Sequence, residues 1–238
     1  MIKKNIFVLS ILLFPVLLTA AGVKIVKVKG EVQIRKGLDE QWQSAKNGMV
    51  LEDIDTILSL DGEVVMQLAE DITFVLGPKA MLDIADLRNI SKEDLFLLLM
   101  SGKVKKIDTG GNRQGIKVSN VTVVHAESKL PKGTGQIKDD TEQRFIFALN
   151  GAKALFEQYY YTNAVAKLNQ ILNRFPDKDD CGEVYYYLGR SFERLSETGQ
   201  ALDAYNESLK RITPDCKVRY KPELESAVKR LQEAKQPR

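Results

Sequence analysis

The spacing of apolar residues changes once along this chain, and that change calls for two kinds of architecture. Over residues 22–128 apolar and polar positions alternate. In "VKIVKVKGEVQIRKG" Val23, Ile25, Val32 and Ile34 are set apart by lysines and polar residues, with Gly30 as a break. A period of two places successive side chains on opposite faces of a strand. Further strand-like runs follow at 56–60, 63–69, 72–77, 80–87, 102–107, 115–120 and 121–126. Asp61-Gly62, Gly77-Pro78, Ser101-Gly102 and Gly110-Gly111 separate them. Short β-rich runs punctuated this often predict an all-β domain, a sandwich or a barrel-like wrap. "DLFLLLM" at 94–100 is too short to span a membrane and reads as a buried strand or a helix turn.

From about residue 141 the period becomes 3.6. Phe145, Ala148, Leu149, Ala152, Leu155 and Phe156 share one helix face, and Ala164, Leu168, Ile171 and Leu172 the next. Tyr185, Leu188, Gly189 and Phe192 begin a third helix; Ala201, Ala204, Tyr205 and Leu209 mark a fourth. Pro176 and Pro214 stop the second and fourth, and Pro222 opens a last helix over 222–234. Residues 129–140 carry Pro131, Gly133 and Gly135 without a clear period and read as a linker. The expected fold is multidomain: an all-β domain over 22–128, then an all-α domain of helical hairpins over 141–238.

Lys3 and Lys4 precede an uncharged run at 6–21 that closes on Thr19-Ala20-Ala21. A positive start, an apolar stretch and small closing residues form the pattern of a secretory signal peptide, here 1–21. The expected address is the periplasm after cleavage. The alternative is an uncleaved segment that anchors the chain in the inner membrane, facing the periplasm. The formal charge is +3; without Lys3 and Lys4 it is 33 basic against 32 acidic residues, or +1. That balance gives no reason to expect a nucleic-acid partner. Lys103, Lys105 and Lys106 read as the solvated face of a strand.

No arrangement of reactive residues points to catalysis. His125 is the single histidine and sits in an apolar alternation; Ser128 lacks the Gly-x-Ser-x-Gly elbow. "TGGNRQG" at 109–115 and "KGTGQIK" at 132–138 lack the spacing of a dinucleotide or phosphate loop. One histidine and two cysteines make no metal set, and no acidic run has calcium-loop spacing. The expectation is therefore a non-enzyme without cofactor, metal or small-molecule substrate. Cys181 precedes the third helix and Cys216 follows the fourth. A helical hairpin returns the chain to its starting end, so the two can meet. A disulfide closing a loop of about 35 residues stabilises by roughly 4 kcal/mol in the chain-entropy account. An exported chain suits it; two unpaired buried thiols are the other reading.

The helical part repeats. Ala164 and Ala201, Leu168 and Tyr205, and Pro176 and Pro214 recur at offsets of 37 or 38 residues. This resembles the tetratricopeptide (TPR) repeat, over about residues 143–236. Tyr185 stands in place of the usual tryptophan, Leu188-Gly189 matches the Leu-Gly pair, and Ala201 the small crossing residue. Ala152, Tyr161, Ala164, Leu168 and Pro176 match in the first copy. A plain helical bundle is the alternative. The resemblance implies a partner groove lined by Leu149, Lys153, Phe156 and Glu157 from the first copy. The second copy supplies Tyr186, Arg190, Glu193 and Arg194. Of the two tyrosine triplets, 159–161 and 185–187, it places Tyr161 and Tyr185 in packing positions and Tyr186 in the groove.

The β part resembles the FecR-type periplasmic domain. The matching residues are Gly30, Val32, Trp42, Gly48, Leu51, Asp53, Ile54, Thr56, Asp61, Gly62, Leu76, Gly77, Pro78 and Leu82, with Glu52 where the family often has glycine. Trp42, the single tryptophan, is expected to be a core anchor. The two resemblances together imply an exported, non-enzymatic scaffold that binds a protein or an envelope polymer. The alternative is a membrane-anchored signal relay.

Overall fold

In the N-terminal part the alternating segments form two four-stranded antiparallel sheets. A computed structural model describes residues 22–39, 41–107, 141–178 and 181–235, without the side chains of 101–107 and 235. The expected segments 1–21, 115–120, 121–126 and 129–140, and with them His125 and Ser128, lie outside the described residues. Strands β1 (Val23–Lys29), β2 (Val32–Arg35), β3 (Trp42–Ser44) and β4 (Val50–Leu51) come first. Strands β5 (Thr56–Ser59), β6 (Glu63–Ala69), β7 (Ile72–Leu76) and β8 (Ala80–Asp83) complete the set. One sheet runs β4-β1-β6-β7 and the other β3-β2-β5-β8. Ile25, Met66 and Phe74 from the first sheet meet Ile34, Ile57 and Leu82 from the second in one buried cluster. Asp55, buried just before β5, ties down two loops. It accepts the amides of Gly37 and Glu52 at 2.9 and 2.8 Å and pairs with Lys36 at 2.6 Å.

After β8 the chain makes a 3-10 turn (Ile84–Leu87) and enters helix α1 (Lys92–Ile107). Residues 102–107, expected as a strand, are therefore helical. The run "GKVKKI" is too short for its alternation to outweigh a helix already begun upstream. That start is capped: the Asp94 amide donates to Ser91 Oγ at 3.0 Å, and Ser91 Oγ donates to Asp94 Oδ2 at 2.9 Å. In α1 Leu95 is buried, whereas Phe96, Leu97, Leu98 and Met100 are exposed.

Five helices follow: α2 (Thr141–Glu157), α3 (Tyr161–Arg174), α4 (Glu183–Arg194), α5 (Thr198–Arg211) and α6 (Lys221–Lys235). Each packs on the next around a second apolar cluster that includes Leu149, Leu168, Leu188 and Leu224. The α4–α5 crossing is close: a Cβ on Gly189 would stand 2.3 Å from the Tyr205 ring. Cys181 and Cys216 form a disulfide across the open end of this pair, with Cα atoms 5.7 Å apart. Such a bond suits an oxidising compartment.

The helices are packed onto the sheets. A Cβ on Gly151 of α2 would lie 2.1 Å from the Met81 carbonyl oxygen of β8, so only glycine lets the helix approach this closely. Leu155, Phe156 and Ala164 join the apolar cluster of the sheets. Polar groups finish the joint. The Gln158 side chain accepts the Val75 amide and donates to the Val75 carbonyl, both at 2.8 Å, satisfying the free edge of β7 at that residue. Asn163 Nδ2 donates to the carbonyls of Asp86 and Arg88 at 2.7 and 2.6 Å.

Lys167 of α3, 5% exposed, donates to Asp83 at 3.0 Å and to Asp86 at 2.6 Å. Burial works against its charge, but the two aspartates more than offset this and hold its pKa above the ordinary lysine value. Burial, helped by the neighbouring Asp83 charge, raises the Asp86 carboxyl despite Lys167. One cation thus serves two acids. Thr56 Oγ1 donates to Asp83 at 2.9 Å and accepts from Arg35 at 3.0 Å, which carries the network into β5 and β2.

Two substitutions test this joint. Gly151→Ala is expected to lower the unfolding free energy by about 1–3 kcal/mol in urea titration, despite alanine's better helix propensity. Gly199→Ala, at a position with open space around it, serves as the control and should cost nothing. Lys167→Met leaves two acids without their cation and should cost about 3–5 kcal/mol.

Candidate functional site

Helix α4 stands between α2 and α6, and charged pairs cross from it to both. Lys153 of α2 pairs with Glu183 of α4. Arg190 of α4 lies 3.8 Å from Glu223 of α6, and Glu193 of α4 pairs with Arg230 of α6. The spacing explains the alignment: Tyr186, Arg190 and Glu193 are three or four residues apart and share a helix face. Lys153, Phe156 and Glu157 do the same on α2.

Beneath the charges lies a bed of aromatic rings. The Arg190 guanidinium sits 4.6 Å from the ring centroid of Phe156, 5.5 Å from Tyr186 and 5.9 Å from Tyr187. Lys153 Nζ lies 5.4 Å from the Tyr187 centroid. Cations over ring faces are attracted by the ring quadrupole, and the desolvated ring bed strengthens that attraction. Phe156 meets Tyr187 edge-on at 5.7 Å and Tyr161 at 5.4 Å.

Burial raises the Tyr186 phenol, and its hydrogen bond to Glu223 adds to this. Burial also raises Tyr187, with Glu183 and Glu157 adding to it. Burial and Glu193 raise Tyr205, whose hydroxyl donates to Glu193 at 2.9 Å. These phenols are therefore protonated across the physiological range. Glu193 goes the other way. Burial opposes its charge, but hydrogen bonds from Arg230 and Tyr205 more than offset it and hold the carboxyl below its usual value.

Six of the eight residues expected to line a groove have side chains near one another here. Lys153, Phe156, Tyr186 and Arg190 are linked by the contacts above; Glu193 joins them through Tyr205, whose ring lies 6.4 Å from that of Tyr186, and Arg194 is close enough to Glu193 to lower its pKa. Glu157 is exposed at the rim, near Tyr187. Leu149 is 4% exposed and belongs to the helical core.

Tyr186, expected in the groove, is buried. It is only 3% exposed, because Tyr220 stacks on it at 4.2 Å and Arg190 covers it. Tyr161 and Tyr185, expected in packing positions, are half-buried; Tyr185 carries Arg211 over its ring at 4.6 Å. Tyr187, Glu183, Glu223 and Arg230 were not anticipated. Glu183 and Tyr187 are four residues apart on α4, which is a legible signal. Glu223 and Arg230 come from a helix whose placement no local pattern specifies. Trp42 is half-buried, with Arg35 5.9 Å from its ring centroid.

No family model matches the chain, and none of the curated proteins compared with it matches. Among the described residues no group of three or more His, Cys, Asp or Glu side chains is placed to hold a metal ion. Among the same residues no helix is long and apolar enough to cross a membrane.

The lowered Glu193 carboxyl sets a pH dependence. Its contribution is present above the unfolded carboxylate pKa of about 4.3 and is lost as pH falls through the folded value. Arg230→Ala is expected to lower stability at neutral pH and to make the acid limb of the stability profile shallower. Urea titrations across acid pH check this; parallel acid limbs for the two proteins would contradict it.

Proposed function

We propose that this chain is an exported, non-enzymatic scaffold of the bacterial cell envelope that holds a partner protein on the face of α2, α4 and α6. The reading follows the resemblance of the helical part to TPR repeats and of the β part to FecR-type domains. One observation supports it above the others: Arg190 is held over three aromatic rings and paired to Glu223 before any partner arrives. A face ordered in advance loses little conformational freedom on binding. Tyrosine and arginine are also the residue types that most often dominate binding energy at protein interfaces. The Cys181–Cys216 disulfide agrees with an oxidising address.

The contact surface is expected to be the exposed rim, Glu157 and Arg194, together with the partly exposed Lys153, Tyr187 and Arg190. Site-specific photo-crosslinking in the producing cell tests this. A crosslinker at Glu157 or Arg194 should trap one discrete protein, and the product should disappear when Arg190→Glu is added. A crosslinker at Glu70, exposed on the β6–β7 turn of the sheets, should not trap it. The same product from Glu70, or none from the α2–α4 rim, would count against the proposal; an envelope polymer in place of a protein would redirect it.

A further inference from the structure

The disulfide and the ring bed are joined through one residue. Cys181 lies just ahead of α4, and Cys216 lies in the connection between α5 and α6. Tyr220, the last residue of that connection, touches both sides. Its hydroxyl donates to the Cys181 carbonyl at 2.7 Å, and its ring stacks on Tyr186 at 4.2 Å with only 14° between planes. Three residues later Glu223 pairs with Arg190, whose guanidinium lies 5.5 Å from the same Tyr186 ring. The Leu224 amide donates to the Tyr220 carbonyl at 2.9 Å, so Tyr220 also begins the first turn of α6. The covalent bond therefore fixes both ends of a short path that closes over Tyr186: the Cys181 carbonyl at one end and the 216–220 segment at the other.

We propose that Cys181–Cys216 is a redox-sensitive latch that holds this face in its closed form. Both cysteines are partly exposed, so a small dithiol can reach them. The dithiol gives two electrons and two protons. Its own sulfurs join, the Cys181–Cys216 bond breaks, and each cysteine leaves as a thiol. Residues 212–220 are then held to the protein by weaker local contacts, among them the Ile212 amide donating to the Leu209 carbonyl of α5 at 3.3 Å. Tyr220 swings off Tyr186, and Glu223 withdraws from Arg190. Beyond its first turn helix α6 stays docked, because Ala227, Val228 and Leu231 are buried in the helical core independently of the bond. The change is confined to 212–224 and to the Tyr186–Arg190 surface, which opens an aromatic ring and frees a guanidinium.

Hydrogen–deuterium exchange on the full chain tests this, with and without a dithiol and in the Cys181→Ser/Cys216→Ser double variant. Reduction should speed exchange over 216–224 by about tenfold or more and leave β1–β8, α2 and α3 unchanged, as expected for a local opening. Tyr186 should become reactive to a tyrosine-modifying reagent, mapped by peptide mass. Tyr220→Leu, with the disulfide intact, should expose Tyr186 in the same way, which keeps the test decisive if the cysteine variant does not fold. Equal exchange over 216–224 in the oxidised and reduced proteins would overturn the proposal. So would acceleration spread evenly over α2–α5, which would make the bond a general brace, or a Tyr186 that stays unreactive in Tyr220→Leu.

Discussion

A lysine ammonium buried between two aspartates joins the helices to the sheets. Lys167 reaches from α3 to Asp83 and Asp86, and Asp83 is in turn held by Thr56 and, through it, by Arg35. Such a group stabilises only where its geometry is met, because removing a charge from water is costly unless its partners are in place. The cluster therefore specifies one orientation of α3 on β8 more than it adds stability. Gly151 acts in the same direction by a steric route, since any larger residue would push α2 away from the Met81 carbonyl.

That orientation matters for the ring bed. Phe156 is buried in the apolar cluster of the sheets, and its ring also faces Arg190, Tyr161 and Tyr187. Tyr160, four residues further along the chain, packs edge-on against Phe74 of β7 at 5.6 Å. The floor of the candidate face is thus continuous with the core of the β part. A change that loosens the Lys167 cluster would be felt at Arg190 through packed side chains, because close-packed interiors transmit displacement. The interhelical pairs Lys153–Glu183, Arg190–Glu223 and Glu193–Arg230 contribute less to stability, being partly exposed and screened. Their effect is to keep long side chains aligned.

Much of the secondary structure was legible because its physical cause is local. The 3.6 period and the prolines placed α2 to α6 to within a few residues, and alternation located β1, β2 and β5 to β8. β3 and β4 were missed because strands of three and two residues are too short to show a period. The alternation of 102–107 conceals a helix because the capped start that nucleates it lies upstream at Ser91. In the DIDT segment, Asp53 and Ile54 were matched by resemblance but are exposed, whereas the unmatched Asp55 is the buried anchor.

The sequence alone determined which residues share a helix or strand face, that β-type elements precede α-type ones, and that Cys181 and Cys216 lie at ends that can meet. These follow from backbone periodicity and chain reversal, which act over a few residues. Only the tertiary structure decided what each face meets. Lys167 has the pattern of an ordinary solvated lysine until Asp83 and Asp86, more than eighty residues away in sequence, close around it. Tyr186 occupies the face its spacing assigns to it, yet it is covered because Tyr220, from beyond the next helix, stacks on it. Burial depends on contacts between distant segments, and no local period encodes them.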